Sequence, residues 1–115
     1  MTDSLFDSQR FLQSLAGDKE LAQELLAAFM EDSPERASSL KEALDSGDAE
    51  EASKLAHSLK GMCGVVRAEP LVNLAISMEH GSKNGDLNKI KEQFDNFSKL
   101  LDAAHDEMRQ FMSAD

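Results

Sequence analysis

His57 is the residue of this chain whose surroundings best suit chemistry. Around it Ala52, Leu55, Ala56, Leu59, Met62, Cys63 and Val66 step by three and four, a spacing that predicts a helix with one buried stripe. At about 100° per residue the stripe centres on Leu55, Leu59, Met62 and Val66, and His57 lies opposite, toward solvent. Glu50, Ser53, Lys54, Lys60, Gly61 and Gly64 fall within about 60° of it on the same outer strip. A glycine inside a helix costs about 0.5–1 kcal/mol relative to alanine, so two beside one histidine call for a reason. The simplest is removal of side-chain bulk, which lets another molecule approach the imidazole closely.

Charge points the same way. Ala52 to Ala68 contains no Asp or Glu, although the chain has 22 acids among 115 residues, and Lys54, Lys60 and Arg67 make the stretch a cationic island. A histidine of ordinary pKa, about 6.5, is a neutral ring with a free lone pair at cellular pH and so a competent nucleophile. Lys60, one turn on, could pair with a phosphoryl group added to that ring. The competing interpretation is an incidental surface histidine on a non-catalytic acidic bundle that binds a protein partner.

Other constellations fail on geometry. Cys63 is six residues from His57 and on a separate face, which makes it a small core residue. His80 sits near a helix end where a cation is favourable, and His105 flanks an apolar stripe. Asp102-x-x-His105 has the spacing of half a bundle di-metal site, but the second half is missing, so no metal is expected. Ser53 could reach His57, yet a convex helix face offers a hydrolase no oxyanion hole. No glycine-rich phosphate loop is present, so no cofactor and no autonomous kinase activity are expected.

The elements that must carry His57 are helical. Hydrophobic residues are 41% of the chain, with only 2 Pro and 6 Gly. Punctuation divides it into six segments. Asp7–Ala16 is a short helix stopped by Gly17. Asp18–Asp32 presents Leu21, Leu25 and Phe29 with Ala22 and Leu26, and Ser33-Pro34 resets the helix or kinks it. The third segment carries Ala37, Leu40 and Leu44 to Gly47. Asp48 with Glu51 forms a capping box for the His57 helix. Glu69-Pro70 opens a fifth, with Leu71, Leu74, Ala75 and Met78, ended by Gly81 to Gly85. Asp86 caps the sixth, where Leu87, Ile90, Phe94, Phe97, Leu101, Ala104, Met108 and Phe111 form the stripe of a long bundle helix. The expected fold is all-α: one domain over 1–115, an antiparallel up-and-down four-helix bundle with an additional short N-terminal helix.

The formal charge of −10 argues against a nucleic-acid or anionic-membrane binder, and no apolar run approaches the roughly 20 residues of a membrane span. With one cysteine and no leader pattern after Met1, a soluble cytoplasmic monomer is expected.

Leu55-Ala56-His57-Ser58-Leu59-Lys60-Gly61 resembles the phosphoacceptor motif of the histidine-containing phosphotransfer domains of bacterial phosphorelays. The resemblance extends over Phe29-Met30-Glu31-Asp32-Ser33-Pro34, Leu40, Leu44, Gly47-Asp48, Leu71, Leu74, Met78-Glu79 and Gly85-Asp86. It implies that His57 is phosphorylated, that Lys60 contacts the phosphoryl group, and that Gly61 clears space for the partner. It further implies response-regulator receiver domains and a hybrid histidine kinase as partners, with Mg²⁺ and the acidic pocket belonging to the receiver. Ser53, Lys54, Gly64 and Arg67 would border the docking face. One position departs: the family commonly has Gly-Ala about ten residues after the histidine, and here the pair is Arg67-Ala68. If the helix continues regularly, Arg67 lies about 80° from His57 on the Lys60 side, where it would replace close backbone contact with electrostatic steering, or simply meet the helix dipole.

Overall fold

The computed structural model describes residues 4–113, which form five helices: α1 Ser8–Ser14, α2 Lys19–Ser46, α3 Ala49–Val65, α4 Glu69–Lys83 and α5 Leu87–Ser113. The expected domain ends, 1–3 and 114–115, lie outside the described residues. No strand occurs among the described residues. α2 packs on α3 and α5, and α4 on α3 and α5, so the four long helices close an all-α bundle whose short connections make neighbours antiparallel. At 1.5 Å per residue the 28 residues of α2 span about 42 Å, close to the 45 Å long axis of the molecule.

Six expected segments become five helices because α2 runs unbroken through Pro34. Pro34 has no N–H for the Met30 carbonyl, a defect that costs a helix about 3 kcal/mol. Packing outweighs it. Phe29, Ser33, Ala37 and Leu40 are all buried along one face on both sides of the proline. Ser33 is therefore no cap; its hydroxyl hydrogen-bonds Nε2 of His105 on α5 at 3.0 Å. The α2 stripe is also rotated from the expected one, with Ala22 and Leu26 fully buried and Leu21 exposed.

Gly47 ends α2 in the left-handed region, φ +77°, and Asp48 caps α3 by accepting the Glu51 amide at 3.1 Å. α4 ends at Lys83, within the expected Gly81 to Gly85 stretch, where Gly85 is left-handed at φ +81°; the residue that stops it is not Gly81. Gly81 lies inside the helix, where a Cβ would collide with the Ile90 side chain of α5. The N-terminal segment folds over one end of the bundle: the Leu5 and Phe6 amides donate to the Glu107 carboxylate, and the Phe6 ring meets Phe11 and Phe111 edge-on. Among the described residues no helix is long and apolar enough to cross a membrane.

Candidate functional site

Helix α3 buries Ala52, Ala56, Leu59 and Cys63 completely, which turns His57 outward with its side chain 65% exposed. From α4, whose Leu71, Ala75, Met78 and Ser82 face the core, the Glu79 carboxylate reaches into the α3–α4 seam and is buried there. It meets three groups. His57 Nδ1 lies 3.0 Å from Oε2, Lys60 Nζ donates to Oε1 at 3.0 Å, and Lys83 Nζ stands 3.6 Å from Oε2. The Lys60 hydrogen bond, ahead of that from His57, holds the Glu79 carboxyl below its usual range although burial opposes this. An ionised carboxylate only accepts hydrogen bonds, so Nδ1 of His57 carries the ring proton and donates it. In the neutral ring this leaves the lone pair on Nε2, which has no hydrogen-bond partner among the described residues.

Space around the ring is open. A Cβ built on Gly61 or Gly64 would meet nothing within 4 Å, so neither glycine is required by packing inside the molecule. Beside His57, the Ser58 hydroxyl accepts a hydrogen bond from the Arg36 guanidinium of α2. The remaining nucleophile candidate is inert: burial pushes the Cys63 thiol up to about 12.

A family model described as Hpt domain matches residues 24–111. The chain belongs to the Hpt domain family. The crystal structure of histidine-containing phosphotransfer protein B (HptB) from Pseudomonas aeruginosa PAO1 is similar in fold, with a TM-score of 0.89 at 23% identity over 96% of each chain. Comparison with curated proteins finds no match. An Hpt domain has a phosphotransfer role in phosphorelay signalling, where such domains interact with receivers and kinases.

The expected site residues of this Hpt domain separate by location. His57, Lys60 and Gly61 come together on one face, with Lys60 committed to Glu79. Lys54 is exposed and pairs with Glu50 at 3.5 Å, and Gly64 is half-buried. Ser53 is not on the outer face. It is 8% exposed and its hydroxyl donates to the Glu79 backbone carbonyl at 3.5 Å, because the true α3 stripe includes Ala52 and Ser53 and leaves Leu55 and Met62 only partly covered.

Arg67 requires a different explanation from the one expected. α3 ends at Val65, so a regular helical angle does not extend to residue 67, which adopts φ +60°. The Ala68 amide bonds the Cys63 carbonyl at 2.9 Å and the Arg67 amide bonds Gly64 at 3.1 Å, the paired closure that wants a left-handed residue at this position. The family's customary glycine here is explained by backbone conformation. Arg67 also accepts the Asp7 amide on its carbonyl, and its Nε is buried without a partner among the described residues.

Glu79, Lys83 and Arg36 are the neighbours that sequence reasoning missed as site residues. Glu79 did leave a signal, since it stands four residues after Ala75 on the apolar stripe, where a carboxylate needs a cation. Arg36 left none, because which α2 residue meets Ser58 depends on helix register.

Proposed function

We propose that this Hpt domain accepts a phosphoryl group on Nε2 of His57 from the aspartyl phosphate of one receiver domain and passes it to the aspartate of another. The observation that carries this reading is the Nδ1 to Glu79 hydrogen bond on an otherwise exposed ring, which presents Nε2 outward with its lone pair. In the forward step the Nε2 lone pair forms a bond to phosphorus while the bond from phosphorus to the aspartyl oxygen breaks and the receiver carboxylate leaves. The ring becomes a phosphoimidazolium whose Nδ1 proton stays in the bond to Glu79. That cationic ring is a good leaving group for the second transfer, which reverses the same bonds on the next receiver.

Glu79 acts through His57: it fixes the tautomer and ring orientation, as a carboxylate does behind a metal-bound histidine. Gly61 leaves room for the receiver, and Lys60 holds Glu79 in place and adds positive charge near the phosphoryl group. The divalent cation and acidic pocket are the receiver's contribution, and this chain brings nucleophile and docking face.

Incubation with a receiver phosphorylated by a labelled small-molecule donor tests the reading. Acid-labile, alkali-stable label is expected on the parent and absent from His57→Gln, with thermal melting of the two nearly the same because surface substitutions usually change stability within about 0.5 kcal/mol. Equal labelling of His57→Gln would move the acceptor elsewhere.

A further inference from the structure

Glu79 carries one negative charge and faces two ammonium groups. Lys60 holds Oε1 at 3.0 Å with its side chain 32% exposed, whereas Lys83 is 63% exposed and stands 3.6 Å from Oε2, the oxygen already bonded to His57 Nδ1. One carboxylate neutralises one of them, and the shorter, more sheltered contact belongs to Lys60. Lys83 is thus surplus positive charge loosely held beside the ring that takes a phosphoryl dianion. It has room to move: with Glu50, Ser53, Lys54 and Ser82 it lines an open groove between the start of α3 and the end of α4. Lys54 across this groove already has Glu50 as its partner.

We propose that Lys83 is the mobile positioning cation of phosphorylated His57. It rests on Oε2 of Glu79 in the unphosphorylated protein and turns to the phosphoryl oxygens once the group is on Nε2, while Lys60 stays with Oε1. The ammonium exchanges one anionic partner for another and transfers no proton; the phosphoryl group retains its charge, now paired. Lys83 then sets how long phosphohistidine survives between receivers. This inference rests on His57 being the phosphoacceptor.

Chemical phosphorylation with phosphoramidate, which needs no receiver, separates the two ideas. The full chain, His57→Gln, Lys83→Gln, Lys83→Arg and Lys99→Gln are treated alike and followed by ³¹P NMR. Label on His57→Gln equal to the parent overturns the phosphoacceptor reading. With label on His57, Lys83→Gln is expected to shorten phosphohistidine half-life by about two- to fivefold, the range for an exposed ion pair, and to move the ³¹P resonance. Lys83→Arg restores both, and Lys99→Gln, on α5, changes neither. Unchanged half-life and resonance in Lys83→Gln, with His57 still labelled, would overturn the role of Lys83 alone.

Discussion

Glu79 is the residue on which the site turns, and its replacement separates charge from shape. Glu79→Gln keeps the size but removes the one acid that His57, Lys60 and Lys83 share among the described residues. Because the carboxyl is held below the usual range in the folded protein, its contribution is fully present above the ordinary value of 4.5 and is lost as pH falls through the depressed folded value. Urea unfolding should therefore find Glu79→Gln less stable than the parent by about 1–3 kcal/mol at pH 7, with the gap narrowing as pH falls below 4.5. Phosphoryl acceptance should also slow, since a glutamine presents either an amide oxygen or an amino group to Nδ1 and no longer enforces one tautomer. Undiminished transfer in Glu79→Gln would show that the ring orients itself.

At the scale of elements, three positions separate packing from docking. Arg67 occupies a left-handed conformation that costs a residue with a Cβ about 1–2 kcal/mol, so Arg67→Gly should raise unfolding free energy by about 1 kcal/mol in urea titrations. A loss of stability would mean that the Arg67 side chain contributes more packing than its backbone costs. Gly61 and Gly81 are both helical, and alanine should act on them in opposite directions. Gly81→Ala drives a methyl into Ile90 and is expected to destabilise by about 1–3 kcal/mol. Gly61→Ala meets open space and should stabilise α3 by about 0.5–1 kcal/mol while slowing transfer from a receiver. A Gly61→Ala protein that is more stable and equally fast would remove the clearance role.

The whole bundle is held together partly by a histidine remote from the transfer chemistry. His105 on α5 is 6% exposed, bonds Ser33 of α2 and meets the Phe29 ring edge-on at 5.8 Å. Burial, with some repulsion from Arg109, lowers its pKa against the opposing pull of Asp102 and Asp106. A histidine with a depressed folded pKa is protonated more readily when unfolded, so its contribution is complete above the ordinary 6.5 and declines as pH falls below it. Thermal melts at pH 8 and pH 5 should show a larger drop for the parent than for His105→Gln. Parallel drops would place the acid sensitivity in other groups.

Periodicity made the helices legible, because burial of one face imposes the same three-and-four spacing wherever a helix meets a core. The outward direction of His57 followed from Ala56, Leu59 and Cys63 pointing in, and the Asp48 cap from a local hydrogen bond between near neighbours. Pro34 misled because its local cost is readable in sequence while the burial of Ser33 and Ala37 that outweighs it is shared with another helix. Arg67 misled because an angular count assumes the helix has not yet ended. Glu79 belongs to another helix and reaches His57 across 22 residues of chain. Which side chains meet across a seam depends on how two helices slide and rotate against each other, and only the packed bundle decides that.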